Sequence, residues 1–205
     1  MKDIKKSISA GFMIGIGSTV YLICENKILG ALFFSIGLFI ICSFGMNLFT
    51  GKIGYVFDNK NNPNCFKIWV GNIIGCLLCV VPIRLIRQDL SLAALIMVEN
   101  KLNNGIINII VSSVFCGILM YLAVENYTNN KNDFAKIIGI FLCVFTFIIC
   151  GFEHSIANVC YCIFAINTPF MGIQSLMFII IVSISNSLGA IICRQMTKIN
   201  GTQDK

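Results

Sequence analysis

The sequence predicts an all-α polytopic membrane protein with six transmembrane helices. They form two inverted three-helix repeats, with the second and fifth helices broken. Three observations carry this. The 205 residues are 57% hydrophobic and 12% charged, with mean hydropathy +0.87; a soluble domain carries about 25% charged residues. The apolar residues fall into runs close to the about 20 residues that cross a bilayer. Two of those runs are interrupted by glycine and polar residues at matching places.

In order, the spans are Ser9–Cys24, Ile28–Met46, Phe66–Ile83, Gly105–Val124, Phe134–Ala165 and Gln174–Cys193. Met1–Ser7 is too short for the charged and apolar regions of a cleaved signal peptide, so the first run is expected to be retained. The fifth run is too long for one straight crossing: about 32 residues rising 1.5 Å each reach about 48 Å. Gly151, Glu153, His154 and Ser155 lie at its centre, so two half-helices meeting there are expected. After Met46 the second run meets Asn47-Leu48-Phe49-Thr50-Gly51-Lys52, then a further apolar patch, Ile53–Phe57. Non-helical backbone at that depth survives only when buried in protein or lining a wet cavity.

Six spans divide into three and three, and the interruptions fall in the second element of each half. The third elements share a theme, Gly71-Asn72-Ile73-Ile74-Gly75 against Ser185-Asn186-Ser187-Leu188-Gly189. An odd number of spans per half turns the halves over relative to each other. The expectation is one transmembrane domain over residues 1–205, with repeats near 8–88 and 104–195. Interruptions at corresponding places in two such halves point to a midplane transport site.

Lysine and arginine counts set the orientation. With both termini cytoplasmic, the inside segments hold Lys2, Lys5, Lys6, Lys52, Lys60, Lys67, Lys131, Lys136, Arg194, Lys198 and Lys205. Only Lys27, Arg84, Arg87 and Lys101 fall outside. The chain is therefore expected in the cell (plasma) membrane, multi-pass, with N- and C-termini inside. Arg84–Asn104 is amphipathic and is expected as a short helix on the outer surface. The net charge of +6 is dispersed between spans rather than gathered on one face, which speaks against a nucleic-acid partner. Of 11 cysteines, most sit inside apolar runs. Cys76-x-x-Cys79 and Cys160-x-Cys162 lack a His or carboxylate partner set, so small packed thiols are expected, with no disulfide, metal or other cofactor.

His154, the only histidine, stands beside Glu153 at membrane depth. Ionisable groups there are costly, which makes the pair a functional-site hypothesis. Glu153 could instead anchor the break by accepting backbone N–H groups.

Gly151–Asn158, GFEHSIAN, matches the fifth-span motif of the formate/nitrite transporter family residue for residue. Asn47–Gly51 resembles that family's second-span loop, and Gly71-Asn72-Ile73-Ile74-Gly75 its third-span signature. The resemblance implies an aquaporin-like homopentamer with one pore per protomer, carrying small monovalent weak-acid anions. It implies an outer constriction of Phe34 and Phe147 with Leu48, and an inner one of Leu38, Phe49 and Met120. Thr50 and His154 would form the central site, with Glu153 beside them and Asn186 nearby, and Lys101 would be a vestibule lysine. Gly117 departs from the family pattern by standing where an asparagine usually lines the pore, and Ser112-Ser113 stand where Arg-Gly is usual.

A bare anion between phenyl and isobutyl walls loses its hydration without replacement, and the common escape is neutralisation by a proton. Formate or nitrite is the cargo that the resemblance implies, with His154 expected either to pass it a proton or to donate a hydrogen bond while staying neutral. Hydrosulfide is an alternative within the same family, and a neutral small-solute facilitator is another. An enzyme is not expected, because the remaining acids (Asp58, Asp89, Glu99, Glu125, Asp133) sit in loops and form no second cluster.

Overall fold

A computed structural model describes residues 2–58, 62–167 and 169–200. Lys60 and Lys205, both counted in the charge bias, lie outside the described residues. The described chain is helical throughout: α1 Lys2–Ile23, α2 Lys27–Ser43, α3 Phe49–Lys52, α4 Cys65–Ile86, α5 Asp89–Leu102, α6 Ile106–Asn129, α7 Asp133–Ile149, α8 Ser155–Ala165 and α9 Pro169–Asn200, with one 3-10 turn at Ile53–Tyr55.

Among the described residues, four stretches are long and apolar enough to cross a membrane: Asp3–Ile23, Cys65–Ile86, Ile106–Asn129 and Met171–Thr197. Helices α2 and α8 are apolar but shorter. The outward faces carry large apolar side chains such as Leu78, Ile107 and Ile184. Such a surface needs an apolar covering.

Helix α2 starts at Asn26, whose side chain accepts from the backbone N–H groups of Ile28 and Leu29. It stops at Ser43, and Gly45 follows at φ 59°. Helix α7 starts at Asn132, whose side chain accepts from Ala135 N–H. It stops at Ile149, and Gly151 follows at φ 66°. A glycine in this left-handed region just past a helix takes the chain out of the helical path without Cβ strain.

Helix α1 lies along α4, and α6 lies along α9. Both approaches are backbone to backbone. A Cβ on Gly11 would stand 1.9 Å from the Asn72 carbonyl oxygen, and one on Gly75 would stand 2.0 Å from that of Ile8. In the other pair a Cβ on Gly117 would stand 2.1 Å from the Asn186 carbonyl oxygen, and one on Gly189 would stand 2.0 Å from that of Val114. Gly117 therefore faces α9 and has no room for any side chain, which corrects its placement as a pore-lining position.

The amphipathic segment expected to rest on the surface forms α5. Its Leu90, Ala94 and Val98 are buried, and the helix packs on α8. This burial brings Lys101 within reach of Glu153, at 2.6 Å.

Candidate functional site

The site forms where α2, α7 and the short helices α3 and α8 converge. Leu48 is the N-cap of α3, and His154 is the N-cap of α8. A helix start buried in an apolar core leaves backbone N–H groups without partners unless side chains supply them. Two asparagines do so in the same way. Asn72 Oδ1 accepts from Phe49 N–H (2.8 Å) while its amide group donates to the carbonyls of Ser7 (2.7 Å) and Asn47 (2.9 Å). Asn186 Oδ1 accepts from Ser155 N–H (2.9 Å) and donates to the carbonyls of Ser113 (2.7 Å) and Glu153 (2.8 Å). Both asparagines are fully buried.

His154 is 2% exposed. Its Nδ1 accepts from Ala157 N–H at 3.0 Å, and its Nε2 lies 3.0 Å from Thr50 Oγ1. Because Nδ1 is an acceptor, the neutral ring carries its hydrogen on Nε2. That hydrogen points at the threonine hydroxyl, which joins α8 to α3. The ring stacks on Phe147 at 5.6 Å, and Phe147 meets Phe34 edge-on at 5.9 Å.

Glu153 does not cap the helix. Its Oε2 accepts from Lys101 Nζ at 2.6 Å and from Asn158 Nδ2 at 2.8 Å. The Glu153 side chain is 4% exposed and that of Lys101 20% exposed, so the pair is a largely buried ion pair with one further hydrogen bond. Backbone anchoring, considered for Glu153, is carried instead by His154 and Asn186.

A cavity of about 110 Å³ opens beside this group, lined by Lys101, Phe147, His154, Asn158, Tyr21 and Tyr161 among others. It is large enough for a few waters or a small anion. A second cavity of about 60 Å³ is lined by Leu48, Ile41, Lys52 and Tyr127 among others. It borders a wider funnel of about 830 Å³. Leu48 thus lines a different cavity from Phe147, although the two were expected at one constriction. Phe34, Leu38, Leu48, Phe49, Met120 and Phe147 are all buried in one apolar cluster with His154 at its edge. Asn186 sits behind the helix start, with both amide hydrogens and its oxygen engaged.

Two residues at the site drew no attention in the sequence beyond their motifs. Asn72 was visible only as the partner of Asn186 in the repeated Gly-Asn/Ser-Asn theme. Asn158 closes GFEHSIAN, and its hydrogen bond to Glu153 gives its position a reason. Tyr21 and Tyr161, tilted against each other at 6.2 Å, carried no sequence signal at all.

Curated relatives include the formate channel FocA of Escherichia coli (strain K12), 25% identical over 182 residues, 77% of this chain and 64% of FocA. Another is the uncharacterized transporter YwcJ of Bacillus subtilis (strain 168), 28% identical over 183 residues, 78% of this chain and 72% of YwcJ. The chain thus spans less than two thirds of the length of FocA. Among solved structures, a pentameric formate channel with formate bound superposes with a TM-score of 0.76 at 24% identity, covering 97% of this chain and 94% of that one. An FNT family ion channel superposes with a TM-score of 0.84 at 19% identity, covering 98% and 90%. These two share the fold. The formate/nitrite transporter signature runs across residues 1–199, and the chain belongs to the formate/nitrite transporter family.

Proposed function

We propose that the protein is a membrane channel or transporter for small monovalent weak-acid anions such as formate or nitrite, coupled to proton transfer at His154. The observation that carries this reading is the setting of that ring. It is buried among phenyl groups, touches a cavity that contains Lys101, and turns an N–H toward Thr50. Lys101 draws the anion toward the cavity, and Glu153 holds the ammonium in place. At the aromatic wall the anion sheds water, and either a hydrogen bond from Nε2 or a proton from a ring first protonated from solvent offsets that loss.

The geometry also favours a second form of this mechanism. A doubly protonated ring has a hydrogen on Nδ1 and cannot accept from Ala157 N–H. A neutral ring that only donates a hydrogen bond keeps the cap intact throughout permeation. Hydrosulfide meets the same requirements of size and weak acidity as formate and nitrite. A neutral solute would need neither Lys101 nor Glu153.

The wider reading is an aquaporin-like homopentamer in the plasma membrane, with six spans per protomer in two inverted repeats and both termini cytoplasmic. The matched asparagine clamps support the two repeats, and the positive charge bias supports the orientation.

The test is uptake of formate, nitrite, hydrosulfide and glycerol by proteoliposomes at acid and neutral pH, with the native chain and with His154→Asn. Loss of proton-coupled anion uptake in the variant is expected. Unchanged flux at both pH values removes the proton role, and glycerol uptake without anion uptake overturns the anion reading.

A further inference from the structure

The cavity beside Lys101 has a twin. A constant offset of 106 residues carries His154 onto Leu48, Phe147 onto Ile41, Gly151 onto Gly45 and Ala157 onto Gly51, and each of these positions lines the second cavity. The same offset carries Tyr127 of the second cavity onto Tyr21 of the first. It also relates the two positive-φ glycines, and it relates Ser7 to Ser113 in the asparagine clamps. Asn158 maps onto Lys52. The two cavities therefore share one backbone plan, with a different residue at this position.

Each cavity is lined by one lysine and by no carboxylate. In the first, the Lys101 ammonium is taken by Glu153 at 2.6 Å. The residue that the offset places opposite Glu153 is Asn47, which has no charge to offer. Among the described residues no carboxylate pairs with Lys52, and its ammonium lies 5.9 Å from the centre of the Tyr55 ring. Lys52 also faces the wide funnel. The acids there have other partners or are exposed to water: Asp58 pairs with Arg194, Glu125 accepts from Tyr55 and Asn129, and Asp3 is exposed. The Lys52 ammonium is thus a half-buried positive charge between the funnel and a narrow apolar cavity.

We propose that Lys52 forms a second docking site for the small monovalent anion, at the mouth opposite Lys101. This inference rests on the anion-channel reading above. It gives the pathway a lysine at each end, of which, among the described residues, Lys101 has a carboxylate within ion-pair distance and Lys52 does not. Anions approaching from that end are captured ahead of the Leu48 floor.

The experiment uses the full chain in proteoliposomes of defined orientation, measuring initial formate flux from each side in the native chain, Lys52→Gln and Lys52→Arg. Lys52→Gln is expected to raise the half-saturating formate concentration threefold to tenfold for flux starting at the Lys52 mouth. Flux starting at the Lys101 mouth should keep its native half-saturation, and Lys52→Arg should restore native behaviour. Equal change from both sides, or none from either, overturns the second site while native formate flux upholds the channel reading. Absence of formate flux in the native chain overturns both. Should Lys52→Gln not reconstitute, Lys52→Asn is measured in the same way, since asparagine already occupies the equivalent position at 158.

Discussion

Asn72 and Asn186 make the same three hydrogen bonds in two separate places, each to one backbone N–H at the start of a short helix and two carbonyls. Each amide ties three chain segments together. Asn72 joins α1 and the residues before α3 to α4, and Asn186 joins α6 and the residues before α8 to α9. The glycines that let the paired helices touch lie beside them, because a Cβ on Gly11 or Gly117 would strike the carbonyl of Asn72 or Asn186 itself. Position of the central ring therefore depends on an amide and a glycine that line neither of the two narrow cavities.

Replacing either asparagine with leucine should destabilise the protein substantially. Asn186→Leu strands the buried Ser155 N–H and leaves the Glu153 carbonyl without its partner, at about 1–3 kcal/mol per orphaned group. A fall in the apparent thermal midpoint in detergent is expected for both Asn72→Leu and Asn186→Leu. Gly117→Ala should act in the same direction, whereas Gly172→Ala, with nothing within 4 Å of its Cβ position, should not. Native-like midpoints for the asparagine variants would show that the helix starts are held by something else.

Much of this site was legible from residues alone, and the illegible part has a common cause. Glycine and polar residues inside apolar runs marked where helical periodicity fails, and Gly45 and Gly151 do adopt the left-handed backbone that such punctuation suggests. Glu153 and His154 stood out because charge is rare at that depth. The direction in which each side chain points was not legible. In an apolar run any face can be buried, so Gly117 read as a vacancy facing the pore when it faces a helix 69 positions away at Asn186. Helix α5 read as a surface element because its segment is amphipathic, yet one of its charges, Lys101, is drawn inward by Glu153 from 52 positions further on. Contacts over such separations leave no periodic trace.

The Lys101–Glu153 pair should behave as a unit. Lys101→Ala leaves a carboxylate that is 4% exposed with Asn158 as its remaining partner, and breaking a buried pair in this way costs about 3–5 kcal/mol, toward the low end here because Lys101 is partly exposed. Glu153→Gln keeps the Asn158 contact and should cost less. The double variant Lys101→Ala, Glu153→Gln should recover much of the stability lost by Lys101→Ala alone. Thermal midpoints of the three proteins test this, and additive losses would show that the two side chains do not depend on each other. Slower anion flux in Lys101→Ala alone then reports a disturbed carboxylate as well as a missing vestibule charge.

The hydrogen bond between Thr50 and His154 offers the most direct reading of how the ring works. Thr50→Val keeps the shape of the side chain and removes the hydroxyl that faces Nε2 at 3.0 Å. Thr50→Ser keeps the hydroxyl and removes a methyl group. If the threonine hydroxyl accepts from Nε2 and turns its own hydrogen to the passing anion, losing a bond worth about 1 kcal/mol should lower formate flux about fivefold in Thr50→Val, while Thr50→Ser stays near the native rate. Nδ1 remains held by Ala157 in both, so the ring should stay stacked on Phe147 and thermal stability should change little. Flux that falls in Thr50→Ser but stays near native in Thr50→Val would instead mean that the threonine acts through packing, because serine loses the methyl group that valine keeps. Formate flux in proteoliposomes, measured beside the thermal midpoint of each variant, separates these outcomes.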